Sequence, residues 1–132
     1  MNAGKSTMLL QANHNYSERG MNAQLYTSSL DNRFGNDEIT SRIGLKKKSN
    51  IFTKDTNIFE EIALKHKTLS VDCLLIDEAQ FLTKKQVEQL GKIVDKLEIP
   101  VLAFGIRTDC QGNLFEGSKF LLAWADNLKE IK

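Results

Sequence analysis

The sequence is poor in the residues that build metal and disulfide scaffolds, with two cysteines, Cys73 and Cys110, and two histidines, His14 and His66. Two cysteines are too few for a disulfide framework or a four-cysteine zinc site. Cys73 lies in an apolar run and reads as inert packing. Both histidines fall in helix-like segments among polar neighbours, without ligand spacing to each other, and read as surface residues. No stretch of about eighteen apolar residues is present, and no basic-then-apolar signal pattern precedes Gly4. A cytoplasmic protein without a membrane partner is expected. The formal net charge is +1, so no broad basic surface argues for nucleic acid. The one basic run, Lys46-Lys47-Lys48, is what a solvated loop carries. There is no internal repeat or low-complexity linker, and 132 residues at 41% hydrophobic content suffice for one compact domain over 1–132.

What is present begins at once with Met1-Asn2-Ala3-Gly4-Lys5-Ser6-Thr7, followed by the helix-like Met8-Leu9-Leu10-Gln11-Ala12. Gly-Lys-Ser opening a helix is the second half of a phosphate-binding loop. Backbone N–H groups wrap the phosphates, the Lys reaches the β and γ phosphates, and the Ser hydroxyl ligates Mg²⁺. The helix N-terminus adds partial positive charge. The tripeptide alone is weak, since a Gly before any surface helix looks the same. The full pattern also needs a Gly four residues before Gly4 and an apolar strand before that.

A second, independent element is Cys73-Leu74-Leu75-Ile76-Asp77-Glu78-Ala79-Gln80-Phe81. Four consecutive apolar residues read as a strand buried on both faces, as in parallel sheets covered by helices. It ends in two adjacent carboxylates, and open parallel sheets hold ligands beyond the carboxyl ends of their strands. Asp77 would face the Mg²⁺ held by Ser6, with Glu78 turned toward whatever attacks the terminal phosphate. A strand leaving a core also meets charge for no functional reason.

The remaining chain alternates helix and strand. A helix is expected from about Lys5 to Arg19, with Leu9, Ala12 and Tyr16 on one face and Gly20 ending it. A short strand follows at Ala23–Thr27, then a turn-rich stretch from Ser28 to Gly35. The long segment from Leu30 to Asn50 has no strong periodicity, and loops of that length in a small domain are usually functional or disordered. Its Asp31 and Arg33 could serve metal and phosphate, or simply be solvated. Ile51-Phe52 reads as a brief strand and Thr56–Lys67 as a helix with Phe59, Ile62 and Ala63 inward. Thr83-Lys84-Lys85-Gln86 is a capping box, opening a helix with the apolar stripe Val87, Leu90, Val94 and Leu97. Pro100–Gly105 reads as another buried parallel strand. The polar loop after Gly105 is the natural second wall of a pocket, Gly117–Trp124 a helix, and Leu128–Lys132 a strand. The alternation predicts an α/β layer fold with parallel strands and right-handed crossovers.

Met-Asn-Ala-Gly-Lys-Ser-Thr, Leu-Asp-Asn-Arg-Phe, Ser-Arg-Ile-Gly-Leu, Ile-Asp-Glu-Ala-Gln-Phe-Leu and Phe-Gly-Ile-Arg-Thr-Asp, in this order, resemble the thymidine kinase family of the bacterial and cytosolic type over nearly the whole chain. The resemblance implies a RecA-like P-loop core, a mostly parallel sheet flanked by helices, that transfers the γ-phosphate of ATP to the 5′-hydroxyl of thymidine. Glu78 then matches the general base. Asn2, Ala3, Gly4, Lys5, Ser6, Thr7, Arg33, Asp77, Glu78, Ala79 and Gln80 fall on the ATP side, with Ser6, Asp77 and Asp31 about Mg²⁺. Met1, Phe81, Ile106, Cys110 and Phe115 match positions lining the nucleoside pocket. Relatives commonly carry Phe at Cys110, which puts base stacking in question here and leaves acceptance of deoxyuridine open.

The resemblance also implies a homo-oligomer, a tetramer in the family, and two segments without a counterpart here. These are a first strand with the leading half of the phosphate loop, and a C-terminal zinc-bound segment with a lasso loop closing over thymidine. The 132 residues by themselves are therefore expected to have little kinase activity. The competing readings are a P-loop ATPase in which Glu78 activates water, and a non-catalytic remnant.

Overall fold

Among the described residues, four parallel strands build one sheet: β1 (Ala23–Ser28), β2 (Asn50–Phe52), β3 (Cys73–Ile76) and β4 (Val101–Ala103), in the order β2-β1-β3-β4. This computed structural model describes residues 2–29, 49–105 and 111–124, with the backbone alone at 2–8 and 10. The turn-rich stretch beyond Ser29, most of the long segment after Leu30 and the strand expected at 128–132 lie outside the described residues.

The strands alternate their side chains between two apolar layers. On one face Ala23 and Leu25 of β1 and Cys73 and Leu75 of β3 pack with Leu9, Ala12 and Tyr16 of helix α1 (Asn2–Glu18). On the other, Tyr26, Leu74 and Ile76 pack with helices α2 (Ile58–Thr68), α3 (Lys84–Leu97) and α4 (Glu116–Trp124). β3 is buried at all four positions because it has neighbours on both edges and helices on both faces. The α/β, mostly parallel architecture expected from the sequence is the one observed.

Each helix has a local reason to start or stop. At the end of α1, Gly20 takes φ +72°, and the Gly20 and Met21 N–H groups donate to Ser17 and Tyr16 carbonyls at 3.0 and 2.9 Å. Glycine adopts that left-handed backbone without a Cβ penalty. Asn57 caps α2, its side chain accepting from the Glu60 N–H at 3.0 Å. The capping box at α3 is complete: Gln86 N–H donates to Thr83 Oγ1 at 3.1 Å and Thr83 N–H to Gln86 Oε1 at 3.0 Å.

Several details depart from the sequence reading. α1 begins at Asn2 rather than near Lys5, so the backbone of Gly4-Lys5-Ser6 is already helical. α2 begins at Ile58, two residues later than expected, because Asn57 takes the cap. On α3 the buried stripe runs through Val87, Leu90 and Ile93, while Val94 is exposed. β4 is only partly buried and Ala103 is exposed, since β4 ends the described strand order and has β3 on one side alone. His66 is half-buried, and its Nδ1 accepts the Val71 N–H at 2.9 Å, tying α2 to the approach of β3.

Candidate active site

The carboxyl edge of the sheet carries Asp77 and Glu78, directly after β3. Asp77 N–H donates to the Tyr26 carbonyl at 2.7 Å, and Phe104 N–H to the Ile76 carbonyl at 2.8 Å. The ladder thus continues to the last residue of each strand and holds the exit of β3 between its neighbours. Directly beyond it the chain turns sharply. Glu78 has φ 55° and ψ 43°, a left-handed conformation that a non-glycine residue adopts at a cost of about 1 kcal/mol or more. A 3-10 turn over Ala79–Phe81 follows.

This bend is held from several sides. The Asp77 carboxylate accepts the Glu78 N–H at 2.9 Å. Gln80 Nε2 donates to Glu78 Oε1 at 2.6 Å, and Ala79 N–H donates to the Phe104 carbonyl at 2.8 Å. Asp77 and Glu78 are 9% and 7% exposed, so both carboxylates are nearly withdrawn from water, where a buried charge must be hydrogen-bonded to persist. Two glycines clear the space. A Cβ on Gly105 would lie 2.7 Å from Gln80 Oε1, and one on Gly117 would run into the Ala79 carbonyl and lie 2.9 Å from that of Leu82. Sequence reading assigned neither glycine a part in the site. Their signal was a glycine at a strand exit and another at a helix start, which becomes legible only once the turn they flank is known.

Phe81 and Phe115, both half-buried, meet edge to face with centroids 5.8 Å apart and an interplanar angle of 76°. The structure therefore joins two of the residues expected to line one apolar cleft. Met1, Asp31, Arg33, Ile106 and Cys110 lie outside the described residues. Asn2–Thr7 belong to the first turns of α1. Because α1 leads through a short turn into the start of β1, it runs opposite to the strands. Its 17 residues span about 25 Å, so the topology brings its N-terminal half toward the carboxyl edge that carries Asp77 and Glu78.

Mg²⁺ is a hard cation ordinarily held by one or two carboxylates together with substrate phosphates and water, and the carboxylates at this edge are Asp77 and Glu78. Among the described residues no group of three or more His, Cys, Asp and Glu gathers to hold a metal ion.

The family profile described as "Thymidine kinase" matches residues 1–132. The chain belongs to the thymidine kinase family. It is 57% identical over 132 residues to a thymidine kinase of Pasteurella multocida, covering all of this chain and 69% of that protein. It is 58% identical to one from Haemophilus influenzae and 56% identical to one from Mannheimia succiniciproducens, covering 68% of each. The chain thus spans about two thirds of the length of these relatives. Kinases are phosphotransferases, and membership agrees with a paired carboxylate at the exit of a buried parallel strand, the arrangement described above. No described helix is long and apolar enough to cross a membrane.

Proposed function

We propose that this protein is a thymidine kinase, transferring the γ-phosphate of ATP to the 5′-hydroxyl of thymidine, with residues 1–132 forming a single kinase core. The observation that carries this reading is the Asp77-Glu78 pair, buried and hydrogen-bonded on a strained bend at the carboxyl end of β3. When bound, magnesium and ATP supply the phosphoryl group and neutralise its charge. Glu78 accepts the proton of the 5′-hydroxyl as general base. Asp77, the Ser6 hydroxyl and Asp31 would hold the cation, and Lys5 and Arg33 would bind phosphate oxygens. Asn2, Ala3, Gly4 and Thr7 contribute from the N-terminal end of α1, where amide groups favour anions. Met1, Phe81, Ile106, Cys110 and Phe115 grip the flat base, as apolar clefts with aromatic walls do.

The setting is a cytoplasmic homo-oligomer, a tetramer by analogy with the family. Cys110, a smaller and non-aromatic wall, makes the selection between thymidine and deoxyuridine looser than a Phe would.

The test is ADP formation from ATP with and without nucleoside. ADP produced in step with thymidine monophosphate, and only when thymidine is added, supports the reading. ADP produced at the same rate without nucleoside would make the protein an ATPase in which Glu78 activates water.

A further inference from the structure

Gln80 sits in the 3-10 turn that forms the bend. It is 4% exposed, and it reaches back two residues to Glu78 at 2.6 Å. An ionised carboxylate only accepts hydrogen bonds, so the amide nitrogen must face Glu78 and the amide oxygen must face away. That oxygen points at Gly105, where an added Cβ would stand 2.7 Å from it. The same Cβ would lie 3.0 and 3.2 Å from the Gln80 and Ala79 backbone nitrogens, tight but within small adjustment. The close contact is therefore with the end of a flexible side chain, which any side chain at position 105 would displace.

Donation to one carboxylate oxygen fixes the plane of the group. A general base needs this, because it must be correctly turned before the acceptor hydroxyl arrives. We propose that Gln80 is the positioning residue for Glu78, holding its carboxylate in a fixed orientation, and that Gly105 is glycine so that the Gln80 amide can lie there. The inference rests on Glu78 being the base, and it gives Gln80 a part that does not require contact with the nucleotide.

The test is single-turnover phosphoryl transfer to thymidine by the active enzyme, with KM for ATP and for thymidine measured in parallel. Gln80→Met keeps the length and removes the donor. The expected result is a rate about tenfold to a hundredfold lower, the loss for one hydrogen bond to a charged group, with both KM values within about twofold of the parent. Gly105→Ala, which displaces the amide while meeting the backbone more gently, should lower the rate to a similar degree and add little to Gln80→Met. In a Glu78→Gln background, Gln80→Met should have no further effect, because its whole influence passes through the carboxylate.

An unchanged rate in both Gln80→Met and Gly105→Ala overturns the proposal. So does a raised KM for ATP at an unchanged rate, which would make Gln80 a nucleotide contact. An equal loss in the Glu78→Gln background would also overturn it, as the mark of a merely structural role. Full activity in Glu78→Gln alone removes the assignment of the base, and is told apart by being seen before Gln80 is touched.

Discussion

The hydroxyl of Tyr26, on a residue with no exposed surface, donates to Glu61 Oε1 at 2.8 Å and so joins the centre of the sheet to helix α2. Tyr26 is the next-door neighbour of Ile76 in the β1–β3 register, and its carbonyl accepts the Asp77 N–H. The residue therefore sets both the helix above the sheet and the strand exit that carries the candidate site.

Burial first, then the Glu61 hydrogen bond and charge, raise the Tyr26 pKa above its ordinary 10.0. Burial likewise raises the Cys73 thiol above 9.0, and Tyr16 is raised by its hydrogen bond to Cys73 and then by burial. Below the unfolded-state values these groups are protonated in both states and their contribution is complete. As pH climbs past those values the unfolded chain releases protons that the folded chain keeps, so stability falls. Urea unfolding from about pH 8 to about pH 11 should show this decline starting near pH 9 to 10. Tyr26→Phe should cost about 1 kcal/mol at neutral pH and flatten the alkaline slope. An unaltered slope would place the titration elsewhere.

Gln86 carries a second prediction. Besides closing the capping box, its Nε2 donates to the Thr53 and Thr56 carbonyls at 2.7 and 3.0 Å, so it anchors the segment before α2 to the start of α3. Gln86→Ala should cost about 2 to 3 kcal/mol, since it removes a cap and two further hydrogen bonds, to the Thr53 and Thr56 carbonyls. Thr83→Ala, which loses the cap alone, should cost about 1 kcal/mol. Chemical denaturation of the two variants checks the ordering, and the double variant should lose less than the sum because the residues share a bond.

How much of this was legible depended on how local the cause was. The buried run Cys73–Ile76, the Thr83–Gln86 box and the Gly20 stop are each written within a few residues, and the structure has all three. The α3 stripe was misplaced by one residue because Ile93 and Val94 are both apolar and both fit a 3.6-residue period from Leu90, so only the packing partner decides. The tie from Gln86 to Thr53, 33 residues apart, and the tie from Gln89 Oε1 to the Ile58 N–H at 2.8 Å, have no signature in either segment. The fit of Gly105 and Gly117 around the 79–81 turn is tertiary for the same reason.

Asn13 supplies a contrast within α1. It is 1% exposed, and its Oδ1 has no hydrogen-bond partner among the described residues, a desolvation cost without return. Asn13→Ala should leave stability unchanged or raise it by up to about 1 kcal/mol, helped by the better helix propensity of Ala. Leu9→Ala, one turn earlier and buried in the same helix, should cost about 2 to 4 kcal/mol. Thermal melts of the pair decide it, and a large loss in Asn13→Ala would mean that the side chain has a partner in solution.

The glycines give an opposed pair. A Cβ at Gly117 would meet the backbone oxygens of Ala79, Gln80 and Leu82, which cannot move without distorting the turn, so Gly117→Ala should cost about 1 to 3 kcal/mol. Exposed Gly91, inside α3, has nothing within 4 Å, and Gly91→Ala should stabilise by about 0.5 to 1 kcal/mol. Equal effects at the two positions would contradict the packing described for Gly117.

The central claim is that Glu78, on its left-handed bend after β3, takes the proton of the acceptor hydroxyl. Its most direct measurement is the rate of thymidine-dependent ADP formation by Glu78→Gln in the active enzyme, an isosteric change that keeps the shape of the site. The expected result is a rate about 10²- to 10⁴-fold lower, the range for losing a general base, with ATP affinity close to that of the parent. A rate within about threefold of the parent would contradict it, because a loss that small is well below what removing a general base costs.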